Sequence, residues 1–367
     1  MRFLLTSILL ALLPLRAADP APLRLGIIGL DTSHVIAFTK TFNDPTAPNH
    51  VPGGKVVAAF KGGSPDIESS ASRVDGYTKE LVEKYGVKIY ATIAELSANV
   101  DAILIATPTP FHAEQIEAGS NAGKAVLCEK PVSLSVARIE ECLKTVEKNK
   151  TTLMIGFNRR FDPNFAALEK RLRVGAIGNI EMATIISRDP APPPASYVKS
   201  SGGIFRDMMI HDLDLARFLV GEEFVRVQAL GAALVDKAIG DEGDCDTAAV
   251  QMQTASGKIA VITNSRRATY GYDQRIEVHG SKGMLRAGNI HNTTVEVATA
   301  DGFNADPILH FFTERYGQAY ANEVLTFIDA VTNNKPVAPS GHDGLQAQKL
   351  ADAATESWQS GTPVNVA

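Results

Sequence analysis

The chain has 367 residues, with 36 Lys and Arg against 41 Asp and Glu, so its formal net charge is −5. Hydrophobic residues make up 45% and charged residues 21%, a composition that excludes a mostly disordered or fibrous chain, and the length favours about two domains. The mildly acidic balance excludes broad binding of nucleic acids, which needs clustered Lys and Arg.

Residues 1–18 have the pattern of a cleavable signal peptide. Met1-Arg2 precedes an apolar run of about 13 residues, and small residues and Pro20 follow it. The run is too short to cross a bilayer, which takes about 20 residues. We therefore predict export to the periplasm. The alternatives are a retained N-terminal anchor and a misassigned start codon, and the second would leave a cytoplasmic protein.

Strands and helices alternate between residues 19 and 150. The apolar and β-branched runs predict strands at 23–28, 55–60, 87–90, 101–106 and 125–128. Helical patterns are found between them, at 33–42, 77–85, 112–122 and 133–148. This alternation predicts right-handed βαβ units and an α/β fold, a Rossmann-like, doubly wound parallel sheet that binds its ligand at the carboxyl ends of the strands.

The pattern changes after residue 150. Longer runs that alternate in polarity predict strands at 151–157, 177–187, 224–234, 247–254, 258–266 and 274–279. Two helices are predicted near the end of the chain, at 318–332 and 344–359. We therefore expect residues 151–367 to form an α+β domain with a large, open and mainly antiparallel sheet.

The loop after the first predicted strand departs from the glycine fingerprint of dinucleotide sites. Gly29 takes the first position of G-x-G-x-x-G, but Asp31 and His34 take the second and third. A carboxylate about 5 Å from a phosphate charge, at an effective dielectric constant of about 20, costs roughly 3 kcal/mol. Asp31 therefore either turns away from the pyrophosphate or caps the following helix in place of an anion.

The second predicted strand also ends unusually, because Lys61 follows it where an Asp or Glu normally holds the ribose hydroxyls. Lys61 and Ser64 could receive a 2′-phosphate, so both NAD and NADP remain open as cofactors. The alternative is that Lys61 is a solvated lysine in a turn.

Polar clusters follow later strands. Glu129-Lys130-Pro131 follows the strand at 125–128, where an open α/β sheet presents its catalytic groups. Asp207 and His211 are four residues apart in a predicted helix, so their side chains would share one face and the carboxylate would orient the imidazole as a general base. The alternative interpretations are that Lys130 is an ordinary surface lysine and that His211 has only a structural role.

A pair of tyrosines and the spacing of the cysteines and histidines give two further predictions. Alternation in Tyr270-Gly271-Tyr272 predicts that both phenols project from one face of a strand. The three cysteines are scattered and the histidines show no ligand spacing, so we predict no metal site.

These motifs resemble the glucose–fructose oxidoreductase/inositol dehydrogenase/rhizopine catabolism (Gfo/Idh/MocA) family of oxidoreductases. Glu129-Lys130-Pro131 matches the signature of the family, and residues 105–367 are most similar to bacterial inositol 2-dehydrogenases. Residues 23–100 resemble an often exported branch of the superfamily. The stretches that carry the resemblance downstream are GFNRRFDP, SRDPAPPP, SGGIFRDMMIHDLDLARFL and YGYDQRIEVHGSKGML.

The resemblance implies NAD or NADP as cofactor, a polyol or sugar as substrate, and a homo-oligomer, either a dimer or a tetramer. His211 would take the proton of the substrate hydroxyl, Asp207 would orient His211, and Lys130 would hydrogen-bond the reacting oxygen. The implied substrate residues are Arg159, Asp189, Tyr270 and Tyr272. The fingerprint and the resemblance together give the cofactor residues Gly26, Gly29, Asp31, Thr32, Ser33, His34, Lys61, Thr107, Pro108, His112, Glu129 and Lys130.

Because the glycine fingerprint is altered, a second function stays open. The chain could be a non-catalytic sugar-binding or regulatory homologue that keeps the fold and has lost the cofactor. Binding of NAD or NADP distinguishes the two.

Overall fold

A computed structural model describes residues 21–64 and 68–366. The predicted signal peptide, residues 1–18, lies outside the described residues. Within these two ranges, no helix has the length and apolar character that crossing a membrane requires.

The first domain is built on a six-stranded parallel sheet in the order β3-β2-β1-β4-β5-β6. Its strands are β1 (Leu23–Ile28), β2 (Gly54–Phe60), β3 (Lys88–Tyr90), β4 (Ala102–Ile105), β5 (Ala125–Glu129) and β6 (Leu153–Gly156). Its helices are α1 (Ser33–Asn43), α2 (Glu68–Ala71), α3 (Val74–Tyr85), α4 (Ile93–Ala98), α5 (His112–Asn121) and α6 (Val136–Asn149). The strand order reverses between β1 and β4, and ligands of such sheets bind at the carboxyl ends of the strands there.

Strand β6 corrects the predicted domain boundary at residue 150. It pairs in parallel with β5 and therefore belongs to the first sheet, although we assigned it to the second domain. All four of its residues are buried. A strand covered on both faces carries a continuous apolar run, and so short a run gives no alternation from which to assign it to either sheet.

The second domain contains a seven-stranded sheet in the order β12-β11-β7-β10-β9-β8-β15, and β13 and β14 form a separate hairpin. The strands are β7 (Ile180–Arg188), β8 (Phe224–Ala232), β9 (Thr247–Thr254), β10 (Ile259–Ser265), β11 (Asp273–Gly280), β12 (Gly283–Ala287), β13 (Glu296–Thr299), β14 (Gly302–Ala305) and β15 (Val364–Asn365). Within this seven-stranded sheet, β7 and β10 are the only described neighbours that pair in parallel, so the prediction of a mainly antiparallel sheet is confirmed.

Helices cover one face of this sheet. Those that bury more than one side chain in its core are α7 (Pro163–Arg173), α9 (Gly203–Asp207), α10 (Ile210–Val220) and α14 (Gly341–Ser360). The other helices of this part of the chain are α8 (Ala195–Ser201), α11 (Lys237–Asp241), α12 (Phe312–Arg315) and α13 (Gly317–Asn333). Helix α13 instead buries Val324, Phe327 and Ile328 in the same core as Leu25 and Val56 of the first sheet. The chain thus returns to its first domain before it ends, and this return holds the two domains against each other.

Candidate active site

Two cavities meet at the carboxyl edge of the parallel sheet. The Rossmann-edge cavity, of about 570 Å³, lies beside the loops that follow β1, β4 and β5. The interdomain cavity, of about 510 Å³, lies between that edge and the second sheet. Their walls share His34, Glu129, Lys130 and Asp207. A group bound in one cavity would therefore lie next to a group bound in the other.

Gly29 allows the loops after β1 and β4 to touch. Its φ is +91°, and a Cβ added there would lie 2.4 Å from Cγ2 of Thr107. Only glycine accepts this conformation and this approach without strain. The first fingerprint glycine therefore keeps its close-approach function.

Helix α1 begins beside this loop with an open N-terminus. Its N-cap residue, Thr32, makes no side-chain capping bond, and the first turn contains no acidic residue. The free N–H groups of such a helix end favour an anion such as a phosphate. Asp31 does not cap the helix. It accepts a hydrogen bond from Ser70 Oγ at 2.7 Å on its Oδ2 atom, so of the two alternatives the structure shows the carboxylate turned aside.

Nine of the twelve predicted cofactor residues line the Rossmann-edge cavity, and Gly26, Gly29 and Lys61 do not. Gly29 acts through the close approach of the two loops described above. Gly26 lies inside β1, where a Cβ would meet Leu96 at 2.7 Å, so its identity reflects helix packing. Lys61 donates a hydrogen bond of 2.7 Å to the exposed Asp75, away from the cavity wall. The predictions for Gly26 and Lys61 are thus corrected. The predicted residues on the wall are Asp31, Thr32, Ser33, His34, Thr107, Pro108, His112, Glu129 and Lys130.

His112 connects two of the loops. Its Nδ1 lies 2.7 Å from the carbonyl oxygen of Pro131 and its Nε2 lies 2.6 Å from that of Thr107. Burial lowers the pKa of His112, and the two carbonyl oxygens, each of which accepts only from a ring N–H, oppose that shift. The ring thus holds the loop after β4 against the loop after β5, and it keeps the cavity wall in place.

The wall fits a nicotinamide dinucleotide. The glycine allows a close approach to the backbone, and the uncapped end of α1 offers the N–H donors that a pyrophosphate needs. Lys130 lies at the junction with the second cavity. The Asp31 carboxylate is a departure from the usual fingerprint, but its contact with Ser70 holds it away from the helix end.

Lys130 and Asp207 form the centre of the interdomain cavity. Lys130 Nζ donates to the backbone oxygen of Asp207 at 2.7 Å and to its Oδ1 at 3.3 Å. Arg266 donates to Oδ2 at 3.2 Å, and Tyr197 donates through its hydroxyl to Oδ1 at 3.2 Å. Burial raises the pKa of Asp207, but the charges of Lys130 and Arg266 lower it by more, so the net shift is downward. The carboxylate is ionised and fixes the position of the ammonium group.

The predicted pairing of Asp207 with His211 is wrong. Helix α9 ends at Asp207 and α10 begins at Ile210, so the two residues do not share the face of one helix. Within the described part of the chain, the Asp207 side chain bonds to Lys130, Arg266 and Tyr197. Asp207 therefore orients Lys130 and not the imidazole.

His211 lines the interdomain cavity, and its Nδ1 is buried with no hydrogen-bond partner among the described residues. Burial lowers its pKa well below the usual value, and the nearby charges of Lys130, Arg159 and His34 lower it further. The ring is therefore neutral at physiological pH and is able to accept a proton.

Three of the four predicted substrate residues reach this cavity: Arg159, Asp189 and Tyr272. Burial raises the pKa of Asp189 to about 6, against the charges of Arg266 and Arg159. Tyr270 lies elsewhere. It precedes β11 in a turn, is 51% exposed, and donates through its hydroxyl to Asp273 Oδ2 at 2.7 Å. The turn, with Gly271 at φ +128°, breaks the alternation that predicted two phenols on one strand face.

His34 forms an ion pair with Glu129, and its Nδ1 lies 3.0 Å from Glu129 Oε1. Burial lowers the pKa of His34, but the Glu129 carboxylate raises it by more, so the net shift is upward. The pair joins the first turn of α1 to the end of β5. It occupies the boundary between the two cavities.

Residues that the sequence did not single out complete the wall. Arg266 follows β10 directly, whereas the predicted strand 258–266 contained it and so gave no sign of a site residue. Tyr197 follows the proline-rich stretch at residues 190–194. Tyr316 packs edge-to-face on Tyr272, with ring centres 5.9 Å apart. Asp212 is buried and bonded to Arg159. Tyr197, Tyr316 and Asp212 carried no local signal, because long-range packing alone brings them to the site.

Pro190, Pro192 and Pro193, in the proline-rich stretch between β7 and α8, line the interdomain cavity. In residues 21–64 and 68–366, no group of three or more His, Cys, Asp or Glu side chains is arranged to hold a metal ion.

Comparison with known proteins agrees with this arrangement. Residues 23–157 match the family model described as an oxidoreductase family with an NAD-binding Rossmann fold, and residues 169–366 match its C-terminal alpha/beta domain. An inositol 2-dehydrogenase of Rhizobium meliloti is 51% identical over 317 residues, which cover 86% of this chain and 96% of that protein. A myo-inositol 2-dehydrogenase of Thermotoga maritima is 47% identical over 284 residues, which cover 77% of this chain and 85% of that protein.

A solved structure of scyllo-inositol dehydrogenase from Lactobacillus casei, with bound NAD(H) and scyllo-inositol, is similar throughout. Its TM-score is 0.83 at 30% identity, with 94% of this chain and 99% of that chain covered. The non-catalytic alternative has no support in these relatives, which are dehydrogenases by name. The chain is an oxidoreductase with an NAD-binding Rossmann domain, and it belongs to the Gfo/Idh/MocA family.

Proposed function

We propose that this enzyme transfers a hydride between a ring hydroxyl carbon of a cyclitol, such as an inositol, or of a sugar and a nicotinamide dinucleotide. The observation that carries the proposal is the position of Lys130, held by Asp207 where the two cavities meet. Substrate in the interdomain cavity and cofactor in the Rossmann-edge cavity would then face each other across this ammonium group.

The charges of this chain suit the proton transfer. Oxidation of an alcohol releases one proton from the hydroxyl and one hydride from its carbon, and a bound nicotinamide supplies the acceptor for the hydride. The neutral ring of His211 accepts the proton. Lys130 donates a hydrogen bond to the same oxygen and stabilises its developing negative charge. Asp207 keeps Lys130 in place throughout.

The opposite wall of the interdomain cavity suits a ring of hydroxyls. Arg159 is buried and its charge is balanced by Asp212, so it presents donors without a net cost in charge. Asp189 supplies acceptors, and Tyr272 and Tyr316 supply flat faces with polar ends. Several convergent donors and acceptors are what a polyol needs and what a purely apolar substrate would leave unpaired.

The test follows absorbance at 340 nm after myo-inositol or a pyranose is added to the purified enzyme with NAD⁺ or NADP⁺. We expect reduced cofactor to accumulate, and we expect Lys130→Ala to lower kcat/KM by roughly 10²–10³-fold. Lys148→Ala, an exposed lysine on α6, is the matched control and should not change the rate. An undiminished rate in Lys130→Ala would refute the assignment.

We also propose that the enzyme is a homo-oligomer that packs through the uncovered face of the seven-stranded sheet. Apolar side chains project from this face, among them Leu230 at 69% exposure and Met182 at 40%. Light scattering should give the mass of a dimer or a tetramer. A monomer at micromolar concentration would contradict this proposal.

Export stays a proposal as well. It depends on the signal pattern of residues 1–18. Expression of the full gene product should give a periplasmic protein whose N-terminus, read by mass spectrometry, lies near residue 19. A cytoplasmic protein that begins at Met1 would contradict it.

A further inference from the structure

The carboxylate of Asp31 is buried but only half satisfied. The residue is 2% exposed and lies on the wall of the Rossmann-edge cavity. Its Oδ2 accepts the hydrogen bond from Ser70, whereas its Oδ1 has no partner among the described residues. A buried acceptor without a donor is costly, which makes it a place where a ligand that supplies donors would bind favourably.

Asp31 lies over the end of β2. The residue before it, Leu30, donates its backbone N–H to the oxygen of Lys61 at 2.8 Å. Its partner Ser70 accepts from the backbone N–H of Ser64 at 2.7 Å. The loop after β1 and the loop after β2 thus meet around the Asp31 carboxylate. In a dinucleotide-binding domain this is the place of the adenosine ribose.

The end of β2 lacks the acidic residue that usually binds that ribose. Lys61 stands there instead, and Asp75 engages its ammonium group at 2.7 Å on the exposed surface. The wall of the Rossmann-edge cavity therefore has an unpartnered carboxylate beside the ribose position, and Lys61 does not line that wall. Arg73 lies on the same wall and is exposed, and Lys130 lies on it at the junction with the interdomain cavity.

We propose that Asp31, from the loop after β1, binds the hydroxyls of the adenosine ribose in place of the missing acid of β2 and so selects NAD(H) over NADP(H). This inference rests on the proposed nicotinamide-dependent function. In this interpretation, the acid that binds the ribose stands in the loop after β1, at the second glycine position of the fingerprint, and not at the end of β2.

Charge explains the selectivity. A carboxylate oxygen without a donor gains from a ribose hydroxyl, and a 2′-phosphate in the same place brings two like charges into repulsion. Burial raises the pKa of Asp31, while the hydrogen bond from Ser70 and the charges of His112 and Arg73 oppose that shift. Arg73 is the group that would attract a 2′-phosphate, so it is the competing determinant.

The experiment measures dissociation constants of NADH and NADPH by nucleotide fluorescence for the full-length enzyme and its variants. We expect the wild type to bind NADH at least about 30-fold more tightly than NADPH. Asp31→Asn, which keeps the shape and the acceptor for Ser70, should reduce that ratio by about tenfold or more, which equals about 1.4 kcal/mol. Lys61→Ala is the matched control, and its ratio should stay within about twofold of wild type.

Asp31→Gly serves as the second variant, because it restores the usual glycine and also removes the carboxylate. A lower ratio in both Asp31 variants, with NADPH still bound, supports the inference. An unchanged ratio, a change confined to Lys61→Ala or Arg73→Ala, or loss of both nucleotides in both Asp31 variants overturns it. If the wild type binds neither nucleotide, the proposed function fails as well. If it binds both and oxidises inositol while Asp31 does not affect the ratio, only this inference fails.

Discussion

Two regions of the site each contain a buried carboxylate, but the surroundings of the two carboxylates differ. One is Asp207 with its partners Lys130, Tyr197 and Arg266, and the other is Asp31 in the loop after β1. Asp207 has donors on both oxygens, from Lys130, Tyr197 and Arg266. Asp31 has a donor on one oxygen only among the described residues. The protein supplies hydrogen-bond donors to both oxygens of Asp207, whereas one oxygen of Asp31 would receive a donor only from a bound ligand.

This difference separates two kinds of functional group. A carboxylate that is satisfied internally fixes a neighbouring catalytic side chain before the substrate arrives, which lowers the cost of organising the reaction. A carboxylate that is left open keeps its bonding capacity for recognition. Asp207 therefore positions a catalytic group before the substrate binds, whereas Asp31 is left free to select the cofactor.

Substitution of His211 should cause the largest loss of activity with the smallest loss of cofactor binding. Because the His211→Asn variant lacks the proton acceptor, we expect kcat/KM for inositol oxidation to fall by roughly 10²–10⁴-fold. Binding of NADH should change by less than about threefold, since the Rossmann-edge cavity stays intact. Steady-state kinetics and fluorescence titration measure the two. A fall in NADH affinity as large as the fall in rate would place His211 in cofactor binding instead.

Asp207→Asn tests whether the complete carboxylate positions Lys130. The amide keeps one acceptor but loses the charge that balances Lys130 and Arg266, so we expect kcat to fall by about 10- to 100-fold, with a smaller change in KM. Tyr197→Phe removes a single donor to Asp207 and should cost about threefold or less. Equal losses in the two variants would show that the charge of Asp207 is not what matters.

The pH dependence of oxidation should follow the neutral form of His211. Since burial and neighbouring cations lower its pKa, the ring stays unprotonated to a pH well below 6.5, its ordinary value. We expect kcat/KM to stay constant as pH falls through about 6.5 and to decline only below it. A decline centred at or above 6.5 would contradict the environment described for this ring.

The smallest effect concerns the His34–Glu129 pair at the cavity boundary. The folded-state pKa of His34 is raised, so its contribution to stability is complete below about 6.5 and is lost as pH rises through the folded pKa. We expect His34→Asn to lower the free energy of unfolding by about 1 kcal/mol at pH 6 and by less at pH 9. Denaturant titration measures both.

His279→Asn is the matched control for that measurement. Its Nδ1 lies 3.2 Å from Glu181 Oε2, but both side chains are mostly exposed. An exposed pair of this kind contributes little, so the control should change stability by a few tenths of a kcal/mol at either pH. A His34 variant that behaves like this control would show that the boundary pair adds nothing to the fold.

The sequence predicted the layers of the fold because its periodicity is local. The strands that became β1, β2, β5 and β9 were placed to within a residue or two at each end. The same local rules misplaced β6, since four buried apolar residues do not reveal which sheet they join. They also missed α7, β12 and the β13–β14 hairpin.

The candidate site was predictable where a functional side chain follows a strand. Lys130 and Glu129 follow that rule, whereas Arg266 lay inside the predicted strand 258–266. The partner of Asp207 was not predictable, because a break after α9 decides which way its carboxylate points. The contact between Asp31 and Ser70 spans 39 residues, and local spacing carries no information about it.

The proposed hydride transfer is tested most directly with myo-inositol that is deuterated at its ring carbons. Incubated with the enzyme and NAD⁺, it should deliver deuterium to C4 of the nicotinamide, detected by nuclear magnetic resonance of the NADH formed, and Lys130→Ala should suppress the label. If the enzyme binds both inositol and NAD⁺ and no deuterium reaches the nucleotide, hydride transfer between the two cavities is refuted.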